Sequence, residues 1–361
     1  MIHFFYSPAM KNAMNKILLI FIFYVVAAAS FNGLFVVNAF MDSHDPRRSF
    51  QAMYDDTAYK PFIYRQLMME TAKKIREILP EETQTILTQE FKNIDLIKRQ
   101  YARAKIEERF VIEYHILYFM CFGCIFLSMF LWRQIGIEIT GSKYVGTITA
   151  CAFAIIFPMF EWLWVYYDCG EILFCSAAVL LAIRGNWLVI ILISPIAAYN
   201  KESFLFFVLT LYPFLILKME KKKAAATVIF SAILCGVVYL YTSSIYASNI
   251  GGNTEWHFYE HLNDFFILDS WKLPYPFYGV WWYVGFFIPN TFMLAWLAKC
   301  TWKKLPEHWK NHIKFALIFN VPLFVLFCQP NEIRNFSLLY VGFIAMLSIF
   351  IKEEINIEQK K

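Results

Sequence analysis

Long, uninterrupted apolar runs are the feature that most constrains the fold of this 361-residue chain. Ten such runs are present, at approximately 17–40, 111–132, 144–165, 170–183, 187–199, 203–217, 224–245, 279–298, 315–328 and 336–351. In hydrocarbon, backbone N–H and C=O groups find partners only within a helix or a closed barrel. The runs are continuous and do not alternate, which excludes the barrel. The sequence therefore predicts an all-α, polytopic membrane helical bundle of about ten transmembrane helices, in one integral domain covering residues 1–361.

Several runs are shorter than the roughly 20 residues needed to cross about 30 Å of hydrocarbon. The runs at 170–183 and 187–199 can instead form a re-entrant hairpin. Because both would then re-enter together, the sidedness of the later loops is the same in either arrangement.

Charged residues make up 17% of the chain, against about 25% in a typical soluble domain. They lie in patches at the ends of the apolar runs, which is a signal of membrane orientation and argues against nucleic-acid binding. Lys and Arg recur in one set of loops, at 11–16, 133–143, 184, 218–223, 299–314 and 352–361. The short loops on the other side contain only Lys201, Lys272 and Arg334. Both termini are therefore predicted to be cytoplasmic, because a loop as long as 41–110, with its thirteen Lys and Arg, is poorly governed by the positive-inside rule.

The long extracytoplasmic loop at 41–110 contains two amphipathic segments. In the first, 66–79, apolar residues such as Leu67 and Ile75 fall on one helical face, with Lys73 on the other, and Pro80 ends it. A second helix is predicted from apolar residues at three- and four-residue steps: Leu87, Phe91, Ile94, Ile97 and Tyr101. We expect both helices to lie at the membrane interface. The alternative is a pair of solvated connecting helices.

In this orientation the clusters of ionisable residues all fall on the outer side. They are at 42–45, 60–65, 166–171, 199–203, 246–278 and 329–335. An ionisable group at the membrane boundary is costly unless it is paired or hydrated. We therefore expect these clusters to share one water-filled cavity.

The residue types in these clusters suggest acid–base chemistry beside an anion site. Asp42 and Asp45 can provide a general base or bind a divalent cation such as Mg²⁺ or Mn²⁺. Arg65 and Arg334 provide planar forks that suit phosphate or carboxylate, and Lys201 provides a point charge. This combination suits transfer of a group from a lipid phosphate.

Purely structural roles are the alternative for these residues. They are a helix cap for Asp42 and Asp45, a loop position or helix cap for Asp168 and Glu171, and an ion pair for Lys201 with Glu202 and for Glu332 with Arg334.

The histidines do not form a recognisable zinc motif. His257 and His261 are four residues apart, but the zinc-protease pattern needs a glutamate directly after the first histidine, and Glu260 is not in that position. No Gly-rich phosphate loop is present, so the sequence does not support cytosolic nucleotide chemistry.

Several short segments resemble the GT-C class of membrane glycosyltransferases. Asp42-x-x-Asp45 followed by 61–67 (PFIYRQL) is similar to a pattern of small bacterial members, in which an acidic pair precedes a tyrosine/arginine segment. The further segments similar to bacterial proteins related to this class are 167–171, 200–203 and 332–336. The acids here are D-S-H-D and not a tight D-x-D or D-E, so either aspartate can be the catalytic one, with Asp55 and Asp56 as rivals.

The resemblance implies a glycosyltransferase of the bacterial inner membrane, active at the extracytoplasmic face. It would transfer a sugar, with inversion, from a polyprenyl-phosphate donor to a glycan or lipid acceptor. Asp45, or else Asp42, would be the general base. The candidate substrate-binding residues are Tyr64, Arg65, Asp168, Glu171, Lys201, Glu202, Glu332 and Arg334.

Three other functions fit some of the same features. A surface-polysaccharide polymerase or ligase would share the donor chemistry but build chains. A lipid or anion transporter or flippase would use the cavity for translocation, although the sequence shows no convincing internal repeat. A non-catalytic scaffold would not need clustered ionisable residues.

Overall fold

The computed structural model of the protein describes residues 8–38, 45, 47–160, 165–252, 254–267, 273–277, 280–284, 288–330 and 332–358. These residues confirm the helical fold class. The helices are α1 (Pro8–Asn38), α2 (Phe50–Tyr54), α3 (Leu67–Ile78), α4 (Glu81–Asn93), α5 (Asp95–Ala104), α6 (Val111–Thr140), α7 (Lys143–Phe160), α8 (Tyr166–Arg184), α9 (Trp187–Asn200), α10 (Phe204–Leu209), α11 (Tyr212–Leu215), α12 (Lys221–Ile245), α13 (Phe258–Phe266), α14 (Ile288–Thr301), α15 (Glu307–Phe327) and α16 (Tyr340–Glu358). One antiparallel hairpin, β1 (Leu273–Phe277) and β2 (Val280–Val284), accompanies them.

Among the residues that the structure describes, six helical segments are long and apolar enough to cross a membrane, judged by length and composition. They are Met10–Asn32, Glu108–Thr140, Tyr166–Arg184, Lys221–Ile245, Glu307–Phe327 and Ile333–Asn356. Shorter apolar helical segments lie at Lys143–Pro158, Trp187–Asn200 and Phe204–Leu215. These helices are those of a multi-pass membrane protein, while the count of about ten spans and the cytoplasmic termini stay predictions.

The amphipathic segments form helices, but the second one is divided. The first is α3, which buries Met68, Met69 and Ala72. The second is broken between α4 and α5, where Ile94 takes an extended backbone conformation with φ −85° and ψ 112°. Asp95, at the first position of α5, favours this break because a carboxylate is stabilised by the N-terminal end of a helix dipole.

The apolar run at 279–298 is also not one helix. It begins as β2 and continues as α14, which has 14 residues. The first part reads Val-Trp-Trp-Tyr-Val, and β-branched and aromatic residues of this kind favour a strand.

Helix α6 is central to the bundle and packs against α1, α3, α4, α7, α8 and α16. The α6–α7 contact is close because glycines face each other: a Cβ on Gly146 would lie 2.5 Å from the backbone oxygen of Arg133. Trp132 on α6 is buried and donates from Nε1 to Ser176 Oγ of α8 at 3.0 Å. The position of α8, which carries Asp168 and Glu171, is fixed in this way against the centre of the bundle.

Candidate functional site

A cavity of about 420 Å³ lies where the segment 47–65 meets the starts and ends of several membrane helices. Its lining combines charged and apolar side chains. The cations are Arg47, Arg48, Arg65, Lys201 and Arg334, and the acids are Glu202, Glu255 and Glu332. The apolar and aromatic wall includes Phe62, Leu205, Phe206, Tyr239, Leu323 and Phe327.

Four charged side chains form a buried group behind this lining, which we name the inner tetrad: Asp168, Glu171, Lys201 and Arg334. Lys201 Nζ donates to Asp168 Oδ1 at 2.7 Å and to Glu171 Oε2 at 2.6 Å. Arg334 Nη1 donates to Asp168 Oδ2 at 2.7 Å. No side chain of the four is more than 5% exposed. Two cations and two carboxylates balance one another, which is the condition under which buried charges are tolerated.

The helix geometry explains why the inner tetrad forms. Asp168 and Glu171 are three residues apart in the first turns of α8, so they share one helical face. Lys201 directly follows α9, and its position is fixed by the preceding Asn200, whose Nδ2 donates to the backbone oxygen of Tyr167 at 2.8 Å. Burial alone would lower the pKa of Lys201, but the charges of Asp168 and Glu171 outweigh it and raise the pKa above its ordinary value.

Arg65 connects the predicted outer segment, 41–110, to the bundle through Glu202. Its Nε donates to Glu202 Oε2 at 2.9 Å, and its Nη2 bonds Glu202 Oε1. Its Nη1 donates to the hydroxyl of Tyr167 at 2.6 Å, and the guanidinium carbon lies 4.6 Å from the centre of that ring. Burial disfavours the charged carboxylate of Glu202, but the charge and hydrogen bonds of Arg65 outweigh it and lower the pKa of Glu202.

Asp45 is held by two consecutive arginines. Its Oδ1 accepts from the backbone N–H and from Nε of Arg47, both at 3.0 Å. Its Oδ2 accepts from Arg47 Nη2 at 3.1 Å and lies 3.2 Å from Arg48 Nε. Partial burial raises the pKa of Asp45, but the bonds from Arg47 and the charges of both arginines outweigh this effect and lower the pKa. In this state the carboxylate is a weak proton acceptor.

Glu332 joins the Asp45 group to the inner tetrad. Its Oε1 lies 3.9 Å from Arg48 Nη1, and its Oε2 lies 3.4 Å from Arg334 Nη2. Burial raises the pKa of Glu332, but the charges of Arg334 and Arg48 outweigh it and lower the pKa. A continuous chain of ion pairs therefore runs along the cavity from Asp45 to Glu171.

The structure brings most of the sequence-predicted residues together. Five of them, Arg65, Lys201, Glu202, Glu332 and Arg334, line the cavity, while their roles stay predictions. Asp168 and Glu171 stand directly behind two of these cations. Asp45 lies beside the lining arginines, and Asp42 is outside the described residues. Tyr64 is buried and meets the ring of Tyr239 edge-on, with centroids 5.7 Å apart.

The rival aspartates face away from the cavity lining. Asp55 Oδ2 lies 3.4 Å from Arg109 Nη2, and Asp56 Oδ1 lies 3.4 Å from Lys73 Nζ.

Of the purely structural roles considered for the site residues, the structure shows some and not others. Glu332 and Arg334 do approach each other, whereas α2 is capped by Ser49, which accepts from the N–H of Ala52, and not by Asp45. Lys201 and Glu202 each bond to different partners.

Sequence reasoning missed several residues of the site. Arg47 and Arg48 line the cavity, and their signal was a pair of basic residues two and three positions after Asp45. His257 also lines it, with Nδ1 2.7 Å from Glu260 Oε2 and Nε2 3.3 Å from Glu255 Oε2. Nothing local in the sequence indicates this second group.

Asn320 is a further cavity residue, on the membrane helix α15. It is 2% exposed, and its Nδ2 donates to the backbone oxygen of Asn335 at 2.6 Å. Its Oδ1 is buried without a hydrogen-bond partner among the described residues. Asn320 is therefore a lining residue whose amide oxygen is itself buried.

A metal centre is not apparent in the part of the chain that the structure describes. There, no group of three or more His, Cys, Asp or Glu side chains is arranged to hold a metal ion. Of the two predicted metal ligands, Asp45 is engaged by arginines and Asp42 is outside the described residues. Divalent-metal dependence stays a prediction.

Comparison of the chain with protein-family models, with curated proteins and with solved structures finds no match. The likeness to GT-C enzymes therefore stays a resemblance of short motifs.

Proposed function

We propose that the protein is a GT-C-like glycosyltransferase with about ten spans and both termini in the cytoplasm of a bacterium. In this proposal it takes a sugar from a polyprenyl-phosphate donor and transfers it, with inversion, to a glycan or lipid acceptor at the outer face of the inner membrane. The cavity at the end of the bundle is its active site.

One observation carries this proposal: a single cavity has five cations on its polar side and an aromatic and aliphatic wall beside them. Its volume of about 420 Å³ lies within the roughly 300–1,000 Å³ of ordinary ligand sites. Three of these cations, Arg47, Arg48 and Arg65, bring planar guanidinium groups to the lining, and such groups suit phosphate oxygens. A lipid phosphate has the matching structure, with an anionic group joined to an apolar chain. The guanidinium groups and the apolar wall together fit an anion that carries a lipid chain better than a simple anion.

In the reaction, Asp45, or else Asp42, removes the proton of the acceptor hydroxyl as it attacks the anomeric carbon. The bond from that carbon to the phosphate oxygen breaks on the opposite face, and the polyprenyl phosphate leaves. Arginine donors of the cavity stabilise the charge that develops on the leaving phosphate, where one well-placed donor contributes about 2.7–4 kcal/mol. Lys201 and Arg334 are already neutralised by carboxylates, so their contribution is to hold the site in shape.

The test is mass spectrometry of surface glycans and lipid-linked intermediates in a strain that lacks this gene and carries plasmid variants. We expect one sugar to be missing in the deletion strain and to return with the wild-type plasmid. Asp45→Asn should not restore it although the protein inserts, whereas Asp95→Asn, at an outer-loop aspartate 83% exposed, should. Asp42→Asn tests the second candidate base.

Other outcomes would favour the other functions. Full activity of both Asp45→Asn and Asp42→Asn would refute the proposed base. Shortened polymer with every sugar present would indicate a polymerase or ligase. Movement of lipid across reconstituted vesicles without sugar transfer would indicate a flippase.

A further inference from the structure

The side chain of Asp45 is bound in the way that a protein binds an anionic ligand. Arg47 donates three hydrogen bonds to its two oxygens, at 3.0, 3.0 and 3.1 Å, and Arg48 Nε lies 3.2 Å from Oδ2. A backbone N–H together with forked guanidinium groups is the arrangement that proteins use for phosphate oxygens. Here the anion is supplied by the chain itself.

The arginines face the cavity, and Asp45 does not line it. Arg47 and Arg48 both belong to the lining, with side chains 40% and 15% exposed. The Arg48 guanidinium also stands 5.6 Å from the centre of the Phe62 ring, on the apolar wall. A ligand with its tail along that wall would bring its headgroup to the same two arginines.

We propose that Arg47 and Arg48 form the phosphate site of the cavity, that the Asp45 carboxylate occupies this site in the ligand-free protein, and that the phosphate group of a lipid ligand exchanges with it. The inference rests on the proposed lipid-phosphate donor. It assigns phosphate binding to Arg47 and Arg48. Lys201 and Arg334 are not assigned this role because their charges are already balanced.

The exchange leaves Arg47 and Arg48 with an anionic partner in both states. The phosphate takes the place of the Asp45 carboxylate at the two guanidinium groups and is not added beside it. This matters because Glu332 and Glu255 lie 3.9 Å from Arg48 and Arg47, and an additional anion would be repelled by them.

The exchange also links donor binding to catalysis. Once Arg47 and Arg48 hold the phosphate, the Asp45 oxygens lose these partners, and the carboxylate becomes a better hydrogen-bond and proton acceptor. Asp45 is thus inactive as a base until the sugar donor binds and releases its carboxylate. Because the carboxylate and the phosphate compete for the two arginines, Asp45 also weakens donor binding in the wild-type protein.

The test is a titration of the purified full-length protein in detergent with farnesyl phosphate, followed by calorimetry, with farnesol as the uncharged control. Arg48→Gln should weaken farnesyl phosphate binding by roughly tenfold or more, since hydrogen bonds to charged groups are strong. Asp45→Asn should tighten it by about threefold to tenfold, because the internal competitor is removed. Asp45→Ser should act in the same direction, and neither substitution should change farnesol binding.

Arg109→Gln is the matched control. Arg109 belongs to the same outer segment and pairs with Glu107 at 2.8 Å, but it does not line the cavity, so its replacement should leave binding unchanged.

Unchanged or weaker binding in both Asp45 variants would overturn the exchange, and unchanged binding in Arg48→Gln would overturn the site. Because binding is measured without sugar transfer, these results are distinct from a failure of the glycosyltransferase proposal. If the protein binds farnesyl phosphate as expected but deletion of its gene leaves every glycan intact, the phosphate site is supported and the proposed sugar transfer is refuted.

Discussion

Replacing Lys201 by methionine is the most direct test of the inner tetrad. Lys201 gives charge-assisted hydrogen bonds to Asp168 and Glu171 at 2.7 and 2.6 Å, and all three side chains are at most 5% exposed. After the replacement Asp168 still has Arg334 at 2.7 Å. Glu171 keeps only hydroxyl partners among the described residues, so one buried carboxylate is left without a cation.

Removing one member of a buried ion pair typically costs about 3–5 kcal/mol, most of it from the charge that remains. We therefore expect Lys201→Met to lower the free energy of unfolding by about 3–5 kcal/mol. The double variant Lys201→Met/Glu171→Gln should recover more than half of this loss. The amide introduced in place of the Glu171 carboxylate is neutral and can still accept the hydroxyl bonds of Ser203 and Ser337, so the residual charge is gone.

The matched control is Lys304→Met. Lys304 pairs with Glu353 at the same 2.7 Å, but the two side chains are 50% and 38% exposed. The two lysines therefore differ in burial and not in contact distance. An exposed pair contributes about 0–1 kcal/mol, so Lys304→Met should lower the free energy of unfolding by no more than that.

The assay is an SDS titration of the purified protein with a thiol-reactive dye, which reports exposure of the buried cysteines at 121, 169, 175 and 235. A loss below about 1 kcal/mol for Lys201→Met, as small as that of the exposed control, would refute the assignment of a charge-balanced core. So would a double variant as unstable as the single one.

Further substitutions and pH test other parts of the structure. Arg65→Lys replaces a two-bond fork to Glu202 by one bond and should cost about 1–3 kcal/mol in the same titration; no loss would exclude the fork as a stabilising contact. Because the pKa values of Glu202 and Glu332 are lowered in the folded protein, their stabilisation is complete above the unfolded value of about 4.3 and is lost as pH falls through the folded values. Thermal melts from pH 7 to pH 3 should therefore show a falling Tm below about pH 4.3, and a constant Tm would contradict this. Gly146→Ala places a Cβ 2.5 Å from a backbone oxygen and should cost about 1–3 kcal/mol, whereas Gly123→Ala meets nothing within 4 Å and should be tolerated in the same titration.

The meeting of distant segments could be predicted because membrane topology fixes the side on which each loop emerges. Once 60–65, 199–203 and 329–335 are assigned to one face, their charged residues must share a limited area. Charges there need partners, which explains why Arg65 and Glu202 were found together.

The choice of partners could not be predicted, since it depends on local backbone direction. Lys201 and Glu202 are neighbours in sequence, but Lys201 has an extended backbone with φ −159° and ψ 127°, and consecutive side chains in such a conformation point to opposite sides. Lys201 therefore turns towards Asp168, and Glu202 towards Arg65. Likewise, the spacing of Asp45 from Arg47 permits contact but does not require it.

The length of α6 relates the depth of α3 and α4 to the thickness of the lipid. Its 30 residues measure about 45 Å, while the hydrocarbon layer is about 30 Å thick. Near its start Glu113 bonds Arg76 of α3, and His115 stacks on Phe91 of α4 with ring centres 3.7 Å apart. A helix of this length responds to shorter or longer acyl chains by tilting, and α3 and α4, which contact it near its start, must move with it. In vesicles that differ only in acyl-chain length, α3 and α4 would then change their depth relative to the headgroups.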